Sequence, residues 1–194
     1  MMSTIEAKRV LRKALRKEKQ SKSVQDLAEQ STHVCTKLLG HPSILAARTI
    51  LAYHSLSDEI DTHRLLDLLE EQGKCVILPQ VTGPETMILR RYKGRSSLVE
   101  GAFGIMEPIG AVFSDYSSID VAIVPGMAFD RSLHRLGRGR GYYDRLLPQL
   151  PNAFKIGVCF DFQLMESVPH DEYDVVMEEV IEGSLPFPSK GGDK

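Results

Sequence analysis

The stretch DVAIVPG, from Asp120 to Gly126, bears most directly on the fold of this 194-residue sequence. Its centre is a nearly unbroken apolar run, closed by Pro125 and Gly126. A short run of this kind is typical of a strand that is buried on both faces. Other segments predict further strands: TILAYHS (49–55), CVILP (75–79), TMILRRY (86–92), KIGVCF (155–160) and DVVMEEVIE (174–182).

The first stretch of the chain predicts an amphipathic helix. Its apolar residues fall on one face: Val10, Leu11, Ala14 and Leu15. Basic residues recur at every fourth position on another face: Lys8, Arg12 and Arg16. A basic helix face is more often solvated than functional. If this helix packed over an anion site, however, the basic residues would meet the anion.

Further helices separate the predicted strands. One begins at Ser23, where Asp26 completes an acidic form of the capping box, and it ends near Gly40. Another is capped by Asp61 or Thr62, and a short helix covers 142–150. The alternation of apolar strands and helices predicts an α/β fold, a three-layer sandwich with a mostly parallel, Rossmann-like sheet flanked by helices. We expect one domain over 1–182 and a mobile tail over 183–194.

Composition and charge narrow the classes of function. The chain has 24 basic and 26 acidic residues and a net charge of −2, so it is not built as a nucleic-acid-binding surface. Its three cysteines form no CxxC pair, which favours a reduced, cytoplasmic setting. No apolar run reaches the ~20 residues of a membrane span. We expect a monomer with small-molecule partners, without nucleic acid or membrane.

The stretch RLGRGRGYYDR (135–145) follows the central strand and is the strongest functional signal. Glycines at 137, 139 and 141 allow backbone N–H groups to converge on an anion, and Arg138 and Arg140 can clamp phosphate oxygens. A helix beginning directly after the loop adds to that attraction. The spacing matches neither a Walker A loop nor the dinucleotide fingerprint. A flexible surface loop and an RGG-like RNA-binding segment are the alternatives.

The residues after the loop have two readings each. Asp144 is either an ordinary acidic residue in a first helical turn or, beside a phosphate site, a Mg²⁺ ligand. Tyr142 and Tyr143 point about 100° apart on a helix, so they cannot share one role. We expect one of these rings to belong to the core, whereas the other faces a ligand.

At PGMAFDRSLHRLGRGRGYYDRLL (125–147) the sequence resembles the 5-formyltetrahydrofolate cyclo-ligase family, also called methenyltetrahydrofolate synthetase. A strand ending in PG, then AFD, then RLGxGxGYYD is the hallmark of that family. Other stretches look similar to the family: KRVLR (8–12), SLSDEIDT (55–62), FGIMEP (103–108) and FDFQLMESVPHDEYD (160–174). The resemblance covers nearly all of the chain except the tail.

The resemblance implies an enzyme with ATP as co-substrate and Mg²⁺ as cofactor. 5-Formyltetrahydrofolate would become 5,10-methenyltetrahydrofolate, with release of ADP and phosphate. The formyl oxygen would be phosphorylated before N10 closes the ring. Such chemistry depends on positioning and charge neutralisation, and the sequence shows no pattern typical of a protein nucleophile.

The resemblance also implies a set of site residues. ATP would contact two groups: Lys8, Arg9, Val10, Leu11 and Arg12, and then Arg135, Leu136, Gly137, Arg138, Gly139, Arg140, Gly141, Tyr142 and Tyr143. The folate would contact His54, Glu59, Arg138, Gly139, Arg140, Gly141 and Tyr142. The catalytic residues would be Arg138, Arg140 and Tyr142. Mg²⁺ would be held by Asp144 and Asp174.

Alternatives remain for the acids near residue 59 and for the whole chain. Glu59 could be a solvated acid before a helix, a reading that suits Asp58 and Asp61 better.

Leu133 stands where the family usually has glycine, so we expect that turn to take another shape, because leucine at positive φ is strained. Two other functions remain open for the whole chain. It could be an enzyme with another substrate, because sugar-phosphate isomerases and coenzyme-A transferases share this fold. It could also be an RNA-binding module.

Overall fold

The computed structural model describes residues 2–101 and 106–185, and strands supply its central layer. The strands are β1 (Thr49–Leu51), β2 (Cys75–Val81), β3 (Met87–Arg91), β4 (Leu98–Glu100), β5 (Met106–Pro108), β6 (Val112–Phe113), β7 (Val121–Pro125), β8 (Ala128–Asp130), β9 (Arg135–Leu136), β10 (Phe154–Cys159), β11 (Leu164–Met165) and β12 (Glu179–Glu182). The helices are α1 (Thr4–Gln20), α2 (Val24–Gly40), α3 (Pro42–Ala46), α4 (His63–Glu71) and α5 (Tyr142–Leu146).

Seven strands form the main sheet in the order β12-β10-β7-β1-β2-β3-β6. The first five of these are parallel to one another, whereas β3 and β6 pair antiparallel at one edge. The strand predicted within 120–126, β7, pairs with β1 and β10 and is buried along most of its length. The predicted α/β class with a mostly parallel sheet is confirmed.

Neighbouring residues of the strands point into two separate cores. Ile50 packs with the helices α2, α3 and α4 on one face, through residues such as Leu38 and Leu66. The next residue, Leu51, packs on the other face with Leu146 at the end of α5. This period of two places the sheet between α2, α3 and α4 on one face and the short α5 on the other.

Helix α1 packs on a second, smaller sheet rather than on the main one. That sheet has the order β11-β8-β9, and Leu15 of α1 is buried against its Ala128 and Leu136. The predicted inward face of α1 was wrong in part, because Val10 and Ala14 are exposed. The inward side is formed by residues three or four apart: Lys8, Leu11, Arg12, Leu15 and Lys19.

The helix boundaries follow local chemistry. Ser23 caps α2 as predicted, its side chain accepting a hydrogen bond from the Asp26 N–H at 3.0 Å. The short helix α3, which the sequence analysis missed, is capped by His41 and begins with Pro42. Ser3 caps α1 through the N–H of Glu6.

Several predicted segments have other bounds in the structure. Only 49–51 of the stretch 49–55 and only 179–182 of the stretch 174–182 are strand. Residues 99–110 include the end of β4 and the whole of β5, and residues 102–105 lie outside the described residues. Most of the tail predicted over 183–194 also lies outside them, and the single-domain assignment stays a prediction.

Leu133 adopts the left-handed conformation that the sequence analysis did not expect. Its φ is +69°, and Leu133 is the one non-glycine residue with positive φ in the described part of the chain. Its N–H donates to the Asp130 carbonyl, and its own carbonyl accepts from the Met177 N–H. The Asp130 side chain also accepts from the N–H groups of Ser132 and His134. Together these bonds hold the turn in its shape despite the leucine side chain.

No helix among the described residues is long and apolar enough to cross a membrane.

Candidate active site

The loop of alternating glycines lies between β9 and α5, at the carboxyl ends of the parallel strands, where open α/β sheets bind ligands. Gly139 and Gly141 have φ of +106° and +65°, which side-chain-bearing residues rarely adopt. A Cβ at Gly137 would lie 2.8 Å from a guanidinium nitrogen of Arg135, so the buried Arg135 would have to shift. All three glycines are therefore tied to the shape of the loop.

Two cavities flank this loop. The α1 cavity, of about 230 Å³, lies beside the first helix and is lined by Lys8, Arg12, Gly139, Asp171 and Asp174. The Glu59 cavity, of about 160 Å³, is lined by Glu59, Gly126, Arg138, Arg140, Tyr142 and Tyr143. Gly137, Gly141 and Asp144 line both cavities. The loop is thus a shared wall between two binding spaces.

Lys8 is the most buried cation of the α1 cavity. Its Nζ donates to Oδ2 of Asp171 at 2.6 Å and to Oδ2 of Asp174 at 2.5 Å. Burial alone would lower the pKa of Lys8, but the hydrogen bonds to Asp171 and Asp174 outweigh it and raise that pKa. Lys8 therefore stays charged and links α1 to a segment more than 160 residues away along the chain.

Arg12 is the second cation of this cavity. Its Nε donates to the carbonyl oxygen of Gly137 at 2.8 Å, and its guanidinium lies beside Gly139. Its positive charge therefore faces the backbone of the glycine loop. Arg16, the third member of the predicted basic stripe, is exposed.

The buried Arg135 forms an ion pair with the half-buried Asp144 beside the loop. Nη2 of Arg135 donates to Oδ1 of Asp144 at 2.7 Å, and the Arg135 side chain is only 4 % exposed. Its Nη1 donates to the Pro125 carbonyl, whereas Nε is buried and has no hydrogen-bond partner in the described structure. The guanidinium also lies over the ring of Tyr143.

The carboxylates of the α1 cavity fit a Mg²⁺ ion that binds together with phosphate oxygens. Asp144 uses only Oδ1 toward Arg135, and Asp174 uses only Oδ2 toward Lys8 and the Asp171 N–H. Each carboxylate thus keeps one oxygen without a hydrogen bond within the described residues. Those residues hold no cluster of three or more His, Cys, Asp or Glu suited to a metal. Such an incomplete ligand set suits Mg²⁺, which often takes one or two carboxylates plus phosphate.

Glu59 lines the other cavity and is not a solvated acid. Its Oε2 accepts from the N–H of Leu56 at 3.0 Å, and its Oε1 accepts from Nε of Arg138 at 3.0 Å. Arg138 also donates to Asp58 through Nη2. In this structure, therefore, the Arg138 guanidinium contacts carboxylates on the Glu59 side of the loop. Arg140 lines the same cavity with an exposed side chain.

The two tyrosines that follow the loop differ in their surroundings. Tyr143 packs against the core on the α5 face of the sheet, and burial raises the pKa of its hydroxyl above the ordinary value. Tyr142 is half-buried, and its hydroxyl donates to the Gly83 carbonyl at 2.9 Å. Both rings line the Glu59 cavity, so a role in the core does not exclude Tyr143 from the site.

The chain matches a known protein family along nearly its whole length. The model of the 5-formyltetrahydrofolate cyclo-ligase family matches residues 4–183. The chain belongs to this family. It is therefore an enzyme, a ligase of folate one-carbon metabolism.

Individual relatives of the cyclo-ligase family resemble most of the chain. The 5-formyltetrahydrofolate cyclo-ligase of Escherichia coli K12 is 32% identical over 173 residues, covering 86% of this chain and 95% of its own. The mouse cyclo-ligase is 28% identical over 188 residues, covering 90% and 93%. The NMR structure of 5,10-methenyltetrahydrofolate synthetase from Aquifex aeolicus matches with a TM-score of 0.80 and 33% identity, covering 92% and 90%.

Some residues that the cyclo-ligase resemblance implied lie away from the two cavities. Arg9 is exposed and pairs with Glu6 at 2.6 Å, and Val10 is 48% exposed. Leu11 packs against the core beneath α1. A helix turns by about 100° per residue, so the run 8–12 cannot present all its side chains to one ligand.

His54 also lies apart from the loop. Its ring stacks on His63 at a centroid distance of 4.0 Å, in a third cavity with Tyr92 and Arg95. Burial, helped by the neighbouring His63, lowers the pKa of His54 to about 4. The structure therefore does not bring His54 together with Glu59 in one cavity.

Three residues that line or adjoin the two cavities escaped the sequence analysis. Asp171 shares Lys8 with Asp174, and its position three residues earlier in an acidic stretch was the available signal. Lys19 continues the inward face of α1 and donates to the Ser57 carbonyl at 3.2 Å. Asp58 pairs with Arg138, and nothing in its local sequence distinguished it from a solvated acid.

Proposed function

We propose that this chain converts 5-formyltetrahydrofolate to 5,10-methenyltetrahydrofolate and cleaves ATP to ADP and phosphate. The observation that carries the proposal is the shared wall. A glycine loop rich in N–H groups separates a cavity lined by Lys8 and Arg12 from one lined by the half-buried Glu59 and by Arg138. A reaction that passes a phosphoryl group from one substrate to another needs this arrangement of two adjoining spaces.

The α1 cavity suits the phosphates of ATP. Lys8 and Arg12 supply positive charge from one side, and the backbone of the loop faces them from the other. Gly137, Gly139 and Gly141 leave that backbone open to an anion. Arg9 and Val10 are not part of this proposal, because they lie on the outer side of the helix.

Asp144 and Asp174 would hold Mg²⁺, each through its unbonded oxygen. When bound, the ion neutralises charge on the phosphate oxygens. Asp144 lines both cavities, so its carboxylate lies next to the boundary that the phosphoryl group would cross. Arg135, paired with Asp144, keeps that carboxylate in place.

The Glu59 cavity suits the formylated folate. A carboxylate with limited exposure can accept hydrogen bonds from the N–H groups of a pterin ring, and Glu59 provides one here. Arg138 and Arg140 carry charge that can stabilise the transferring phosphoryl group. Tyr142 closes the side of the cavity through its bond to Gly83.

The proposed reaction proceeds in two steps. The formyl oxygen attacks the γ-phosphorus of ATP, the bond to the bridging oxygen breaks, and ADP leaves. N10 of the folate then attacks the formyl carbon, N10 loses its proton, and the phosphorylated oxygen leaves as inorganic phosphate. No protein nucleophile takes part, so the residues orient the substrates, neutralise charge and exclude water.

Purified protein with 5-formyltetrahydrofolate, ATP and Mg²⁺ tests the proposal. We expect the absorbance of the methenyl product to rise, with one ADP formed for each product molecule. Omission of ATP should abolish the signal. Hydrolysis of ATP without methenyl product, or no reaction at all, would refute the proposed function.

A further inference from the structure

Arg138 is held by two adjacent carboxylates from a distant loop. Its Nε donates to Glu59 at 3.0 Å, while its Nη2 donates to Asp58. The loop residues and Arg138 are about 80 positions apart in the sequence. These contacts therefore join the loop that holds Asp58 and Glu59 to the glycine loop between β9 and α5.

The link orients Arg138 toward one cavity only. Arg138 lines the Glu59 cavity but does not line the α1 cavity, although its neighbour Gly137 lines both and its other neighbour, Gly139, lines the α1 cavity. An arginine between two glycines has little backbone restraint of its own. The carboxylate partners therefore determine where this guanidinium lies.

The two carboxylates are not equivalent. Glu59 is the more buried, with its side chain 12% exposed, and lies on the cavity wall. Asp58 is 40% exposed and does not line the cavity. A substrate that donates hydrogen bonds to Glu59 would compete with Arg138 for that carboxylate, whereas Asp58 would keep its bond.

The charge of Asp58 is secured by its neighbours. Burial, the largest single effect, would raise the pKa of Asp58, but the hydrogen bond and the positive charge of Arg138, together with the charge of Lys19, outweigh it and lower that pKa. Lys19 donates to the Ser57 carbonyl next in sequence. The Asp58 carboxylate is thus ionised near neutral pH and available to Arg138.

We infer that Asp58 is a positioning residue, which keeps the Arg138 guanidinium in the Glu59 cavity when the folate engages Glu59. This role rests on the proposed function, since it assigns Glu59 to the pterin ring. Asp58 acts through Arg138 and does not itself touch a substrate.

Asp58→Asn tests the role, with Asp61→Asn as its matched control. Asp61 belongs to the same loop, has a side chain 65% exposed, and bonds to His63 instead of Arg138. We expect Asp58→Asn to lower kcat about twofold to fivefold, the range in which a partly exposed ion pair is coupled. The KM for ATP should change less than twofold, and Asp61→Asn should leave both constants unchanged.

A double-mutant cycle with Arg138→Gln separates positioning from general damage to the fold. If Asp58 acts through Arg138, Asp58→Asn should not slow the Arg138→Gln enzyme further. An equal loss in both backgrounds, or an unchanged kcat in Asp58→Asn, would overturn the role while wild-type turnover upholds the proposed function. Wild-type protein without turnover would instead refute the proposed function, and this role with it.

Discussion

Nε of Arg12 donates to the carbonyl oxygen of Gly137 across 2.8 Å, and this bond fixes the first helix against the glycine loop. The guanidinium thereby lies beside Gly139 and lines the α1 cavity. The same helix contacts Asp171 and Asp174 through Lys8 and the Ser57 carbonyl through Lys19. One face of α1 thus spans both sides of the proposed site.

Replacement of Arg12 should weaken ATP binding selectively. We expect Arg12→Gln to raise the KM for ATP about tenfold, since a charged hydrogen bond contributes ~1.5–3 kcal/mol and tenfold corresponds to ~1.4 kcal/mol. The matched control is Arg9→Gln, which removes an exposed arginine of the same helix. Steady-state kinetics at saturating folate measures both variants. Equal effects of the two substitutions would contradict the placement of ATP in the α1 cavity.

Replacement of Asp144 should affect metal binding before it affects the fold. Asp144→Asn can still accept a hydrogen bond from Arg135, but it loses the charge that attracts a divalent cation. We expect the affinity for Mn²⁺ in the presence of ADP to fall by at least about tenfold, as measured by electron paramagnetic resonance.

A second acid serves as the control for the metal experiment. Asp115 is exposed and precedes β7, at the opposite end of the sheet from the glycine loop. Asp115→Asn should bind Mn²⁺ as wild-type protein does. Unchanged Mn²⁺ affinity in Asp144→Asn would remove Asp144 from the proposed metal site.

Leu133 should show an inverted order of stability between glycine and alanine. Both substitutions remove the leucine side chain, but only glycine relieves the strain of a φ of +69°. We expect Leu133→Gly to be more stable than Leu133→Ala by about 1 kcal/mol in urea unfolding. In ordinary helix or strand positions glycine is the less stable of the two. If alanine is the more stable residue here, the left-handed turn is not present in solution.

The stacked histidines should make the protein sensitive to acid. The pKa of His54 in the folded chain is about 4, below the value of 6.5 expected when it is unfolded. The unfolded chain therefore binds this proton first as the pH falls. The contribution of His54 to stability is complete above about pH 6.5 and is lost as the pH falls toward 4.

His54→Gln removes this titration, because glutamine carries no charge at any pH. Its free energy of unfolding should therefore fall less than that of wild-type protein between pH 7 and pH 4.5. Denaturant unfolding at the two pH values provides the comparison. Equal losses in both proteins would show that His54 does not titrate with a lowered pKa.

The strands of the sheet could be predicted from the sequence because each depends on a pattern of neighbouring residues. The apolar run of β7 and the capping chemistry of Ser23 each act within a few residues. The glycine loop could be recognised for the same reason, because its backbone requirement is written into adjacent positions. The monomeric state and cytoplasmic setting stay predictions.

The contacts that shape the site are not local, and the sequence did not predict them. Lys8 is an inward-facing residue of α1 because Asp171 and Asp174 compensate the loss of water around its charge. The apolar pattern alone grouped Val10 with Leu11 and Leu15 on one face, although Val10 is exposed. The bond between Asp58 and Arg138 likewise depends on the tertiary fold, which brings two loops together.

The transfer of a phosphoryl group across the glycine loop is the central claim, and the fate of the formyl oxygen tests it most directly. 5-Formyltetrahydrofolate labelled with ¹⁸O in the formyl group, turned over with unlabelled ATP, would be followed by mass spectrometry of the phosphate released. We expect each phosphate to carry one ¹⁸O atom, because the formyl oxygen leaves bonded to phosphorus. Methenyl product accompanied by unlabelled phosphate would contradict phosphorylation of the formyl oxygen.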